Sequence, residues 1–215
     1  MTNSIPECML REQIIATARA LNSSGLSVGN SGNVSARSER GALVTPTGVA
    51  YTSLKAADIV ELSLDGTVLS GVLKPTSEWH LHCDIYRARQ EVGAIVHAHS
   101  LHATALACTH REIPAFHYMV AVAGGDNIRC AEYATFGTPQ LASHALVALA
   151  RRSACLLAHH GSIALANTPA GAFALAQEVE NLAAQYCEVL KIGGASILAA
   201  DEMGKVIAKF SGYGQ

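Results

Sequence analysis

One apolar run that ends in two histidines constrains this chain more than any other stretch. Gly93-Ala94-Ile95-Val96 leads into His97-Ala98-His99, and such a run reads as a buried strand. Successive strand side chains point to opposite faces, so His97 and His99 share a face about 7 Å apart. Imidazole suits zinc and other borderline divalent ions, which makes the pair a natural beginning for a metal site. A second apolar run, Cys155-Leu156-Leu157-Ala158, ends in His159-His160-Gly161. On an extended strand only one of those neighbouring histidines can face a site. Glu78, after the turn Pro75-Thr76-Ser77, has two readings. It is a carboxylate held at a cavity mouth, or an acidic residue complementing a helix N-terminus with Ser77 as N-cap. Three histidines and a carboxylate point jointly to a His₃Glu site.

The 215 residues suffice for one domain, taken as 1–215, with a full core. Half are hydrophobic and 15% charged, so the chain should be compact, and a surface with so little charge suits subunit contacts. A net charge of -2 offers no basic field for nucleic acid or an anionic membrane. The cysteines at 8, 83, 108, 130, 155 and 187 are scattered without a C-x-x-C and read as reduced, Cys83 as packing. Met1 to Glu7 lacks the marks of a signal peptide, and no apolar run reaches the roughly 20 residues that span a bilayer. The expectation is a reducing cytoplasm.

Residues 6 to 24 are expected to form a helix, with Ser4 as a cap and Pro6 in the first turn. A Gly, Asn and Ser-rich loop, Ser27 to Val34, leads into a short strand, and Ala42-Leu43-Val44 is another. Ile59 to Leu64, Asp65-Gly66 and Thr67 to Val72 form a hairpin around a favoured Asp-Gly turn. A helix runs from Glu78 to about Arg89, with Arg87 and Arg89 as solvated residues. A helix from Leu101 to Cys108 follows the His97 strand. Thr138-Pro139 caps a helix to Ala150, Ala154 to Ala158 is a buried strand, and Thr168-Pro169 caps the longest helix. A last helix lies near Asp201 to Phe210, and 111 to 137 carry no clear period. The mix predicts an α/β domain with one central sheet that includes antiparallel hairpins.

The turns Ser31-Gly32-Asn33, Thr47-Gly48 and Thr76-Ser77 form a second constellation. Glycine allows close backbone approach, and hydroxyls with amide N–H groups can surround a phosphate without a basic residue. Beside a metal they suggest a small phosphorylated substrate.

Seven motifs then occur in order: Gly32-Asn33-Val34-Ser35-Ala36-Arg37, Thr45-Pro46-Thr47-Gly48, Ser77-Glu78-Trp79, His97-Ala98-His99, Ile113-Pro114-Ala115-Phe116-His117-Tyr118, Tyr133-Ala134-Thr135-Phe136-Gly137 and His159-His160-Gly161. Together they closely resemble the class II aldolase/adducin-head family, from the first helix to Tyr213. The resemblance implies a central, mostly antiparallel sheet flanked by helices. It implies Zn²⁺, with Mn²⁺ or Co²⁺ as alternatives, on Glu78, His97, His99 and His160. Gly32, Asn33, Thr47, Gly48, Thr76 and Ser77 match phosphate-binding positions, and Phe136, Phe210 and Tyr213 match residues around an aldehyde. Glu78 and Tyr118 match catalytic residues.

The reaction so implied is reversible cleavage of a ketose 1-phosphate into dihydroxyacetone phosphate and a hydroxyaldehyde, in a homotetramer with active sites between subunits. Family members that epimerise a pentulose 5-phosphate carry Asp where this chain has Glu78. Relatives that decarboxylate or dehydrate sugar phosphates retain Glu, and a non-catalytic adducin-like module would lack the histidines.

Overall fold

The computed structural model describes residues 5–210. The expected Ser4 cap and Tyr213 lie outside the described residues. Helix α1 is Glu7–Ser23, with Pro6 at the N-cap position and no side-chain cap. Strands β1 (Asn33–Arg37), β2 (Ala42–Val44), β3 (Val60–Leu62) and β4 (Val68–Ser70) follow, then α2 (Trp79–Ala88), β5 (Ala94–Ala98) and α3 (Leu101–Ala107). The second half holds a 3₁₀ turn at Tyr118–Ala123, β6 (Cys130–Ala131), α4 (Pro139–Ala148), β7 (Ala154–Leu157), β8 (Gly161–Ala166), α5 (Pro169–Lys191) and α6 (Ala200–Phe210).

The strands form one eight-stranded sheet in the order β4-β3-β2-β1-β5-β8-β7-β6. Every pairing is antiparallel except β6 with β7. This is the expected mostly antiparallel sheet. On one face Val34 of β1, Val96 of β5 and Leu156 of β7 pack with Ile14 and Leu21 of α1, Ala103 of α3 and Val179 of α5. On the other face Ile95, Cys155 and Ile163 pack with Leu81 and Ile85 of α2 and Leu141 of α4. Helices therefore cover both faces, and strand alternation decides that His97 belongs with α2.

Two helices start on the Thr-Pro caps their sequences offer. Thr168 accepts a hydrogen bond from the Gly171 N–H and Thr138 accepts one from Leu141, each with Pro in the first turn. Helix α3 has no local cap, and Glu180 of α5 supplies one. Its carboxylate accepts the His102 and Ala103 backbone N–H groups, both at 2.9 Å, and the His102 ring at 2.8 Å. Removing it with Glu180→Ala leaves those donors without an acceptor. The expected cost is about 1–2 kcal/mol, read as a lower urea midpoint; an unchanged midpoint would refute this role.

Some local expectations change. The hairpin strands are shorter than expected, and the turn runs over Ser63 to Gly66, closed by the Gly66 N–H on the Ser63 carbonyl at 2.9 Å. Gly66 takes φ +93, so the Asp-Gly pair sits at the end of a three-residue loop rather than filling a two-residue one. Arg89 is not a solvated residue: its guanidinium donates to the Leu149 and Arg152 carbonyls at 3.0 and 3.1 Å, joining α2 to the end of α4. Arg87 is exposed and pairs with Asp84. All six cysteines are free, and burial pushes the Cys83 thiol up to about 12. No helix among the described residues is long and apolar enough to cross a membrane.

Candidate metal centre and active-site cavity

Four elements bring their ends together at one point. His97 lies on β5, directly across from Asn33 on β1, and His99 sits one step past the strand end on the same face. The rings of His97 and His99 meet with Nε2 atoms 2.8 Å apart. His97 Nδ1 donates to the Ser162 carbonyl at 3.0 Å, which turns Nε2 toward the centre.

His160 arrives through the β7–β8 turn. His159 adopts φ +55, a conformation uncommon outside glycine. It redirects the chain so that His160, not His159, joins the cluster of Glu78, His97 and His99. Gly161 then crosses β5 so closely that a Cβ would sit 2.3 Å from the Ala98 carbonyl oxygen and 3.1 Å from His99 Cδ2. Gly161→Ala should therefore destabilise the protein by roughly 1–3 kcal/mol through overpacking, and weaken metal uptake as His99 is pushed aside. Calorimetry and metal titration of the same sample check both effects.

Glu78 occupies the N-cap position of α2, yet its side chain makes no cap hydrogen bond. Thr76 Oγ1 takes the Glu78 N–H at 3.3 Å, so the reading with Ser77 as cap is not what the structure holds. The freed carboxylate turns inward: Oε2 lies 3.1 Å from His97 Nε2 and accepts from Asn33 Nδ2 at 2.9 Å. Oε1 lies 3.3 Å from His160 Nε2 and is buried without a hydrogen bond.

One ligand atom from each of Glu78, His97, His99 and His160 lies within 4.8 Å of the others. Burial and the neighbouring imidazoles push His99 down to about 3, and burial with His97 pushes His160 down to about 4. Both are thus neutral, with ring nitrogens able to ligate. Burial opposes the charge of Glu78, but His97, His160 and the Asn33 amide outweigh it and hold the carboxyl well below the usual carboxylate range. A buried anion with an unbonded oxygen, facing three imidazole rings, suits a divalent cation.

The cluster opens into a cavity of about 370 Å³. Gly32, Asn33, Thr47, Gly48, Thr76 and Ser77, all expected around a phosphate, line it together with Phe136, and among the described residues no Lys or Arg does. Gly32 is required there: at φ +78, a Cβ would lie 2.5 Å from Ser27 Oγ and 2.7 Å from the His97 carbonyl oxygen. Tyr133, Ala134 and His159 complete the lining, with Phe136 and Tyr133 as its aromatic side chains. Tyr118 is half-exposed in its 3₁₀ turn and does not line the cavity of its own chain. Nor does Phe210, which packs beside Met203 and Ala115.

The profile described as Class II Aldolase and Adducin N-terminal domain matches residues 12–187. The chain belongs to this class II aldolase family. The 5-methylthioribulose-1-phosphate/5-deoxyribulose-1-phosphate aldolase of Rhodospirillum rubrum is 50% identical over 205 residues, 95% of this chain and 92% of that one. The L-fuculose phosphate aldolase of Escherichia coli is 44% identical over 206 residues, 95% of each chain. A solved L-fuculose 1-phosphate aldolase superposes with a TM-score of 0.91 at 38% identity, covering 94% of this chain and 96% of that one.

One group of buried residues in this class II aldolase chain escapes a reading by motif. His82, Ser35 and Tyr86 are fully buried and continue inward from Asn33. Ser35 Oγ lies 2.6 Å from His82 Nδ1 and 2.8 Å from the Tyr86 hydroxyl, while His82 Nε2 meets Asn33 Oδ1. The available signal was polar residues at 78, 82 and 86, one helical turn apart on a face that is otherwise buried.

Proposed function

We propose that this protein is a metal-dependent aldolase that reversibly cleaves a ketose 1-phosphate into dihydroxyacetone phosphate and a small aldehyde. The observation that carries the reading is the Glu78, His97, His99 and His160 cluster opening onto hydroxyl- and glycine-lined turns. Those four residues would hold the ion, with zinc as the first choice. When bound, it supplies Lewis-acid stabilisation of negative charge developing on the substrate oxygens.

The chain's own groups do the rest. Gly32, Asn33, Thr47, Gly48, Thr76 and Ser77 grip the phosphate through N–H and hydroxyl donors, which positions the substrate remote from the bond that breaks. In cleavage, the proton of the hydroxyl on the aldehyde half is taken up and the carbon–carbon electron pair passes to the dihydroxyacetone half. Glu78 then delivers a proton to the carbon that lost its bond, and takes it back in condensation. Tyr118 exchanges the hydroxyl proton. Because Tyr118 does not line its own chain's cavity, we place the active site between subunits of a homotetramer, with the tyrosine donated by a neighbour. Phe210 and Tyr213 would approach the aldehyde in the same way.

The relatives' named substrates differ in their terminal groups, but 5-deoxyribulose, 5-methylthioribulose and fuculose all end in an apolar carbon or thioether. Tyr133, Ala134 and Phe136 in the cavity lining suit such an end. The test is release of dihydroxyacetone phosphate from L-fuculose 1-phosphate and from 5-methylthioribulose 1-phosphate by zinc-loaded protein, with a chelated control. Chelator-sensitive release from either supports the reading. No release from folded, metal-loaded protein overturns it in favour of epimerase or decarboxylase chemistry.

A further inference from the structure

Glu78, His82 and Tyr86 follow one face of α2 at four-residue intervals, an axial step of about 6 Å. Asn33 and Ser35 follow one face of β1 at two-residue intervals, a step of about 6.6 Å. The two periods nearly match, so the side chains interleave as Glu78, Asn33, His82, Ser35, Tyr86.

The direction of every hydrogen bond in this row follows from its outer end. An ionised carboxylate only accepts, so Asn33 presents Nδ2–H to Glu78 and Oδ1 to His82. His82 must then carry its proton on Nε2. That leaves Nδ1 to accept from Ser35, and the Ser35 oxygen to accept from the Tyr86 hydroxyl. Burial keeps the imidazole neutral, its pKa pushed down to about 3, which the chain of donors requires. His82 is 0% exposed, does not line the active-site cavity, and is too deep to meet substrate.

We propose that His82 is a positioning residue for Glu78, acting through Asn33 and held in its Nε2–H tautomer by Ser35 and Tyr86. A carboxylate that both faces a cation and moves a proton needs a fixed, neutral donor on one oxygen. Asn33 can be that donor only while its carboxamide is kept from flipping, because the flipped form would aim Oδ1 at the carboxylate. The His82 N–H opposes the flip, and Ser35 with Tyr86 opposes tautomer exchange in His82. The catalytic part of this inference rests on the aldolase reading; the hydrogen-bond order does not.

The experiment has three arms. In metal-free wild-type protein labelled with ¹⁵N-histidine, the resonance that disappears in His82→Gln is expected to show a protonated Nε2 and a bare Nδ1; the opposite tautomer overturns the proposal. Co²⁺ titration of His82→Leu should show affinity reduced about 10–100-fold, the range typical of residues that orient metal ligands. Kinetics of zinc-loaded His82→Leu should show kcat lowered by a similar factor with a smaller change in KM. His82→Gln, which returns an N–H near the Nε2 position, should recover most of both losses. Folded His82→Leu with wild-type Co²⁺ affinity and kcat overturns the inference. If His82→Leu does not fold, the wild-type tautomer and the milder Ser35→Ala, expected to lose kcat by a smaller factor than His82→Leu would, decide it. Absence of aldolase activity in the wild type would instead indict the functional reading and leave the tautomer and Co²⁺ arms in force.

Discussion

Glu78→Gln is expected to lower turnover by about a hundred- to ten-thousand-fold, the range for loss of a positioned acid/base, with the folded state retained. The amide has nearly the shape of the carboxylate, so Asn33 Nδ2 can still donate to its oxygen and the α2 N-terminus, which does not use the Glu78 side chain as a cap, is undisturbed. What is lost is the exchangeable proton and the negative charge facing His97 and His160. Metal affinity should fall too, so the assay belongs at saturating zinc, with bound metal measured on the same sample. Turnover within a few-fold of wild type would remove Glu78 from the proton-transfer step.

A comparable loss is expected for Tyr118→Phe, and the two variants together should complement. Tyr118→Phe deletes only a hydroxyl from an exposed side chain, so phosphate binding and thermal stability should stay near wild type while kcat drops. If each active site combines Glu78 from one subunit with Tyr118 from another, unfolding and refolding an equal mixture of Glu78→Gln and Tyr118→Phe rebuilds intact sites. Random assembly places both native residues in about a quarter of them, so the mixture should regain about a quarter of wild-type activity. Each variant alone, refolded identically, should regain none. A mixture no more active than its parts would place Tyr118 in its own chain's site or outside the chemistry altogether. Size measurement before and after mixing tests the oligomer itself.

The residues that make this site legible in the sequence are those whose position follows from local periodicity. His97 and His99 share a face because a strand alternates, and the structure puts their rings in contact. The choice of His160 over His159 came from family resemblance; its physical cause, a left-handed residue at 159, appears only in the backbone. Strand β8 has no clear signal in the sequence. Its Ser162-Ile163-Ala164-Leu165-Ala166 run is alanine-rich and carries little intrinsic strand preference. It is a strand because β5 and β7 pair with it on both sides. Residues 111 to 137 lack a period for a related reason: the segment is held by distant contacts, such as the bridge between Ile113 and Ile128.

The family, much of the alternation of sheet and helix, and the set of side chains able to bind a cation are legible along the chain itself. Each depends on residue type and on spacing along one element. How Glu78 points, which oxygen Asn33 holds, and that His82, Ser35 and Tyr86 stand behind it emerge only once the elements pack. Those facts depend on the register between α2 and β1, two elements separated by more than forty residues. Register across a helix–sheet interface is set by packing of the whole core, and no local pattern encodes it.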